Sequence, residues 1–93
     1  MKFSVFVEDL NSSMNIIDIR EEYEYLSEHI PGSKHISYKN LIFSPEMYLD
    51  KYKTYYIYCS MGVRSRSLVN RLNDLGYKLK NIEGGFMEYK STR

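Results

Sequence analysis

The only cysteine of this chain lies at the junction between an apolar run and a short polar loop. Residues 55–58 read Tyr-Tyr-Ile-Tyr, Cys59 follows at once, and Gly62 lies in the loop that leads to Arg64. Loop N–H groups that curl around a sulfur atom favour negative charge there, as do the positive end of a following helix and the Arg64 guanidinium. Such surroundings lower a cysteine pKa from about 8.5 to between about 3.5 and 7.5, and the thiolate is the reactive form. The pattern predicts that Cys59 is a nucleophile.

A structural cysteine is the alternative interpretation of this residue. A free cysteine often behaves as a small buried hydrophobe. Such a residue is expected inside the apolar run, whereas Cys59 stands at its end. Open α/β sheets bind their ligands beyond the carboxyl ends of the strands, so the position of Cys59 favours a functional role.

The composition is that of one small globular domain. The chain has 93 residues, 43% of them hydrophobic and 27% charged, and we assign residues 1–93 to a single domain. A formal net charge of +1 argues against a nucleic-acid partner. Residues 1–46 carry eight acidic and four basic side chains, whereas residues 47–93 carry four acidic and nine basic ones. The basic half contains Cys59, so a small anion would be steered toward it.

The sequence also limits the expected location and the covalent chemistry. No apolar run approaches the length of a membrane span, and the N-terminus lacks the apolar core of a signal peptide. We therefore expect a cytoplasmic protein without a membrane partner. A single cysteine rules out an internal disulfide and any CxxC metal site. A covalent intermediate on Cys59 must then be resolved by an outside molecule.

Strand and helix patterns alternate along the chain. Short strands are predicted at residues 3–7, 15–20, 34–37, 55–58 and 79–82. Helices are predicted at residues 21–28 and 64–75, and a final helical turn at residues 86–90. This alternation predicts an α/β fold with a small, mostly parallel sheet and helices on both faces.

Single residues refine this interpretation. Four apolar residues of the second helix share one face at helical spacing: Leu68, Val69, Leu72 and Leu75. Ser44 is placed to cap a helix that begins at Pro45. Residues 84 and 85 are both glycine and predict a turn.

Three ordered blocks of residues lie within the segment from Asn15 to Tyr89, which is nearly the whole chain. The first contains Ile-Asp-Ile-Arg at 17–20, Glu-Tyr at 24–25 and His-Ile-Pro-Gly-Ser at 29–33. The second is the segment 58–65, and the third comprises Gly-Tyr at 76–77 and Ile-Glu-Gly-Gly-Phe at 82–86. In order and spacing these blocks resemble the single-domain rhodanese-type sulfurtransferases. Glu28 stands where that family usually has glycine, and Tyr89 where it often has tryptophan.

The resemblance implies a rhodanese-like fold and a sulfur-transfer reaction. The Cys59 thiolate would take a sulfane sulfur from thiosulfate, a small anionic donor, or from a small or protein-bound persulfide. The resulting persulfide would pass that sulfur to cyanide or to a thiol, without a metal or organic cofactor. Arg64 would hold an anionic donor. The other substrate-binding residues implied by the resemblance belong to the same loop: Ser60, Met61, Gly62, Val63 and Ser65.

Two other functions are alternatives to sulfur transfer, and the spacing of Cys59 and Arg64 bears on the first of them. Cysteine phosphatases place five residues between their cysteine and their arginine, whereas four separate Cys59 from Arg64 and position 65 is serine. The spacing therefore argues against a phosphatase or an arsenate reductase. A rhodanese-like module that binds a partner or senses redox state without turnover would keep the same residues.

The remaining polar residues have ordinary structural interpretations. Asp18 and Arg20 are expected to form an ion pair at the end of a central strand, although Arg20 would also be placed to face the site. His29 is expected to anchor its loop by a hydrogen bond, with a general base as the alternative role. His35 has no metal-ligating neighbour in the sequence. Arg66 is expected on a solvated face with a secondary role in steering anions. Whether Arg20, His29 or Arg66 contributes to the site is left open.

Overall fold

The structure, a computed structural model, describes residues 3–92. Its strands are β1 (Ser4–Val5), β2 (Asn15–Asp18), β3 (Lys34–His35), β4 (Thr54–Tyr58) and β5 (Lys78–Ile82). Its α-helices are α1 (Glu22–Ser27), α2 (Tyr38–Phe43), α3 (Val63–Asp74) and α4 (Gly85–Ser91), with 3-10 turns at Val7–Asp9 and Pro45–Met47. None of the helices in this part of the chain is long and apolar enough to cross a membrane. The predicted domain of residues 1–93 includes residues 1, 2 and 93, which lie outside the described residues.

The five strands form one parallel sheet in the order β1-β5-β4-β2-β3. The middle strand β4 pairs with β2 through Ile17 opposite Ile57, and with β5 through Ile57 opposite Asn81. Parallel pairing brings the carboxyl ends of β2, β4 and β5 to the same edge of the sheet. The predicted α/β architecture is confirmed, and this edge is where α/β sheets bind ligands.

The sheet separates two apolar cores because successive strand residues point to opposite faces. Ile17 and Ile57 pack with α3 residues such as Leu68 on one face. Ile16 and Tyr58 pack on the other face, which α4 covers with Phe86. Helices therefore lie on both faces, as predicted, and the last two residues of β4, Ile57 and Tyr58, are buried between them.

Three local predictions need correction. The segment 38–43 forms α2, a helix that was not among the predicted elements. The Ser37 hydroxyl caps it by accepting a hydrogen bond from the Asn40 N–H at 3.1 Å. Ser44 does precede a 3-10 turn that starts at Pro45, but its side chain makes no capping hydrogen bond. Leu75 was expected on the buried face of α3 and is 54% exposed, because the helix ends at Asp74.

Candidate active site

Cys59 occupies the first position after the central strand β4. This places its sulfur at the carboxyl edge of the sheet, and the residue is only 6% exposed. The loop that follows is short, because α3 already begins at Val63. Cys59 therefore lies at the junction between a strand and a loop, as predicted from the sequence.

The loop surrounds the sulfur atom with hydrogen-bond donors. The N–H groups of Gly62 and Ser65 donate to Cys59 Sγ at N···S distances of 3.2 and 3.4 Å. Ser65 Oγ lies 3.3 Å from the same sulfur. Gly62 has a φ of +89°, a left-handed conformation that costs glycine little, and this turn brings the N–H groups at the start of α3 round to the sulfur. The predicted cradle of backbone N–H groups is present at these two residues.

These contacts change the acidity of the Cys59 thiol. Burial is the largest single influence and raises its pKa, because it disfavours the charged form. Hydrogen bonds from the Ser65 hydroxyl and from the N–H groups of Ser65, Gly62 and Met61 act in the opposite direction and outweigh burial. The pKa of Cys59 is therefore lowered from its ordinary value.

We expect Cys59 to react with iodoacetamide below about pH 8.5, where an ordinary thiol is mostly protonated. The lowered pKa of Cys59 leaves more thiolate there, and the thiolate is the reacting form. Alkylation rates between about pH 5 and about pH 10 would give the midpoint, with the urea-unfolded protein as the control because unfolding removes the donors. A midpoint that is equal in both states would contradict the lowered pKa.

Helix α4 holds the loop from the other side. The N–H of Phe86 donates to the carbonyl oxygen of Cys59 at 2.9 Å, and the N–H of Met87 donates to that of Ser60 at 2.9 Å. This approach requires glycine at position 85, because a Cβ atom there would collide with the Cys59 carbonyl and lie 2.8 Å from the Ser60 carbonyl oxygen. The glycine pair at residues 84 and 85 predicts a turn, but no local pattern in the sequence indicates this contact.

A cavity of about 250 Å³ opens over the sulfur. The lining residues come from the loop, from the start of α3 and from the β2–α1 region: Cys59, Ser60, Met61, Val63, Arg64, Ile19, Arg20 and Glu24. A larger cavity of about 560 Å³ shares Ile19, Arg20 and Arg64 with it. Met61 and Val63 are largely exposed at this mouth, at 69% and 68%. The cavity can therefore admit a small molecule directly from solvent.

Arg64 lies at the wall between these two cavities. Its guanidinium carbon lies 4.8 Å from the centre of the Tyr38 ring, a cation–π contact that holds the side chain over α2. Within residues 3–92, no carboxylate forms a salt bridge with Arg64. Its charge is therefore available to an anion in either cavity. Arg64 makes no hydrogen bond to Cys59.

The other polar residues named from the sequence have structural partners. Arg20 forms a buried ion pair with Asp18 at 2.8 Å, as predicted, and also lines both cavities. His29 anchors its loop through a 2.7 Å contact between Nδ1 and the Tyr25 carbonyl oxygen. His35 Nε2 lies 2.7 Å from the carbonyl oxygen of Arg20. No group of three or more metal-ligating side chains occurs among the described residues.

A further polar residue lies behind the sulfur and was not singled out from the sequence. Asn81, on β5, is 1% exposed and accepts a hydrogen bond from the Ser65 hydroxyl. Its Nδ2 group donates to the Gly62 carbonyl oxygen at 3.2 Å and to Glu83 at 3.4 Å, and Glu83 also pairs with Arg66 at 3.0 Å. No sequence signal marks Asn81, because its neighbours in the fold lie 16 and 19 positions earlier in the chain.

Comparisons with known proteins agree with this fold. A family model described as a rhodanese-like domain matches residues 5–92. YtwF of Bacillus subtilis, provisionally named a sulfurtransferase, is 33% identical over 82 residues, which cover 88% of this chain and 79% of YtwF. The thiosulfate sulfurtransferase GlpE of Coxiella burnetii is 34% identical over 77 residues, which cover 82% of this chain and 71% of GlpE. The crystal structure of SSP1007 from Staphylococcus saprophyticus superposes with a TM-score of 0.85 at 31% identity, covering 94% of this chain and 92% of that one.

Proposed function

The chain belongs to the rhodanese-like domain family, and from that premise we propose that it is a sulfurtransferase that carries a sulfur atom on Cys59. The observation that carries this proposal is the environment of Cys59 Sγ, which receives hydrogen bonds from Gly62 and Ser65 at the floor of an open cavity. A thiolate needs such donors, and so does the persulfide that would replace it. The names of two relatives supply the reaction class, since YtwF and GlpE are both named as sulfurtransferases.

The first half-reaction loads the cysteine with sulfur. The Cys59 thiolate attacks the outer sulfur of thiosulfate and forms a new S–S bond. The bond between the two sulfur atoms of thiosulfate breaks, and its electron pair leaves with sulfite. The negative charge then lies on the outer sulfur of the Cys59 persulfide. The N–H groups of the loop stabilise this charge, as backbone N–H groups stabilise an oxyanion in other enzymes.

The second half-reaction returns the enzyme to its starting state. A nucleophilic acceptor, cyanide or a thiolate, attacks the outer sulfur of the persulfide. The S–S bond to Cys59 breaks, its electron pair returns to Sγ, and thiocyanate or a new persulfide leaves. Because the chain has one cysteine, a thiol acceptor must come from outside these 93 residues. The two half-reactions predict ping-pong kinetics.

A steady-state assay with thiosulfate and cyanide tests this function. We expect thiocyanate to form catalytically, with parallel lines in double-reciprocal plots at several cyanide concentrations. A thiol acceptor would replace cyanide in a second series. Absence of turnover with thiosulfate and with a small persulfide, with either acceptor, would refute catalysis and favour a binding module.

The cytoplasmic location of the protein stays a prediction from the sequence.

Replacing Arg64 with alanine should weaken the use of an anionic donor. We expect kcat/KM for thiosulfate to fall about tenfold, the effect of losing one hydrogen bond between a cation and an anion. Alkylation by anionic iodoacetate should slow more than alkylation by neutral iodoacetamide. The matched control is Arg71→Ala, since Arg71 is an exposed arginine farther along α3. If alkylation by both reagents slows by the same factor, Arg64 does not bind the anionic donor.

A further inference from the structure

Ser65 and Asn81 form a buried polar pair directly behind the candidate nucleophile. They are 0% and 1% exposed, and they belong to different elements, α3 and β5. Neither carries a charge. The hydroxyl of Ser65 lies between Cys59 Sγ and Asn81 Oδ1, within hydrogen-bonding distance of both. The position of its single proton therefore decides how the pair acts on the sulfur.

The orientation of the Asn81 carboxamide follows from its neighbours. Its Nδ2 group faces the Gly62 carbonyl oxygen at 3.2 Å and the Glu83 Oε2 atom at 3.4 Å. Both are acceptors, so Nδ2, the only donor of the carboxamide, must face them. A flipped carboxamide would place Oδ1 against two other acceptors. Oδ1 therefore faces Ser65 and can only accept a hydrogen bond from it.

This orientation determines where the Ser65 proton lies. A serine hydroxyl has one proton and two lone pairs. If the proton is donated to Asn81 Oδ1, a lone pair of Ser65 faces the sulfur, and a protonated Cys59 can donate its S–H to that lone pair. A thiolate has no proton to give. It is stabilised by Ser65 only if the hydroxyl rotates and donates to Sγ, which breaks the bond to Asn81.

We propose that Asn81 is a positioning residue for Cys59. Its Oδ1 atom accepts the hydrogen bond of the Ser65 hydroxyl while the thiol is protonated, and it loses that bond when the thiolate forms, because the hydroxyl keeps its proton and turns to donate to Sγ. Formation of the persulfide would reverse the rotation, because the charge then moves from Sγ to the outer sulfur. The rotation breaks no covalent bond and needs no co-reactant. The inference rests on the proposed role of Cys59 as nucleophile, but alkylation tests it without any sulfur donor. Its failure is therefore distinguishable from a failure of the proposed function.

The charged groups around the sulfur provide a constant background for this test. They come from β2 and the segment after it, from α1, from α3 and from the segment after β5: Asp18, Arg20, Glu24, Arg64, Arg66 and Glu83. None of these residues is changed in the variants of the test, so the same charges surround the sulfur in each. The chain has one cysteine, so thiol alkylation reports on Cys59.

The test is a double-mutant cycle read by the pH midpoint of iodoacetamide alkylation. Ser65→Ala should raise the midpoint by about one unit, because the thiolate loses a hydroxyl donor. Asn81→Leu should lower it by about half a unit, because the hydroxyl no longer has to leave Asn81. In the Ser65→Ala background, Asn81→Leu should cause no further shift. A higher midpoint in Asn81→Leu, or the same shift with and without Ser65, would overturn the proposal.

Two controls separate this role from general support of the fold. Asn73→Leu removes another carboxamide that bonds to β5, through the N–H and carbonyl groups of Leu79, and should leave the midpoint unchanged. If Asn81→Leu does not fold, the wild-type protein still provides a test. The carbonyl carbon of the Asn81 side chain should shift in NMR spectra with the midpoint of Cys59, and most of that shift should vanish in Ser65→Ala. An Asn81 signal that is independent of pH across the Cys59 titration would overturn the proposal.

Discussion

Replacing Cys59 with alanine is expected to reduce sulfur transfer to the uncatalysed rate, a loss of about a millionfold or more. The chain has no second cysteine, so no other side chain can form the persulfide. The loop donors of Gly62 and Ser65 would remain but would have no sulfur to stabilise. The measurement is thiocyanate formation from thiosulfate and cyanide, compared between the wild type and the variant.

The fold should survive this change. Alanine is smaller than cysteine, and the loss of one buried sulfur atom costs about 1 kcal/mol in the free energy of unfolding. Cys59→Ser provides the matched control, since its hydroxyl keeps a polar atom among the donors but cannot form a persulfide. Circular dichroism and thermal unfolding would show whether both variants are folded. Turnover retained in either folded variant would refute the role of Cys59.

The second large effect is expected from Gly85→Ala. Gly85 has a φ of +60°, and its added Cβ atom would meet the carbonyl groups of Cys59 and Ser60. Backbone cannot move aside as a flexible side chain does, so either α4 or the loop must shift. We expect the free energy of unfolding to fall by about 2–4 kcal/mol, from steric conflict and from the left-handed conformation together. Sulfur transfer by the remaining folded protein should also fall, because the Cys59 carbonyl loses its bond from Phe86.

Gly32→Ala is the matched control for this substitution. Gly32 also has a positive φ, +85°, but an added Cβ atom there would meet no atom within 4 Å. Only the conformational cost remains, about 1 kcal/mol, and activity should be unchanged. Urea unfolding of both variants measures the difference. Equal losses of stability would show that the contact between α4 and the loop does not require glycine.

The sequence was sufficient to predict the fold class and the position of Cys59. The apolar run before Cys59 and the helical spacing of Leu68, Val69 and Leu72 are local patterns, and each describes a single element. Alternation of such elements then predicts a parallel sheet, whose carboxyl edge is where the structure places Cys59. The family resemblance, based on three ordered blocks, is confirmed by the family model.

The residues that support the site could not be predicted in the same way. Gly85 and Asn81 act through contacts with residues 16 to 26 positions earlier in the chain, and local periodicity carries no information on such contacts. Helix α2 was missed because its six residues contain only one buried side chain, Leu41. Leu75 was predicted to be buried because helical spacing does not show where a helix ends.

The most direct test of the proposed sulfur transfer is intact-protein mass spectrometry after brief exposure to thiosulfate. We expect the protein to gain the mass of one sulfur atom, located on Cys59 by peptide analysis, and to lose it when cyanide or a thiol is added. Cys59→Ala, treated in the same way, should keep its mass. If the wild-type protein gains no sulfur from thiosulfate or from a small persulfide, or if the gained sulfur cannot be removed by any acceptor, Cys59 does not act as a sulfur carrier.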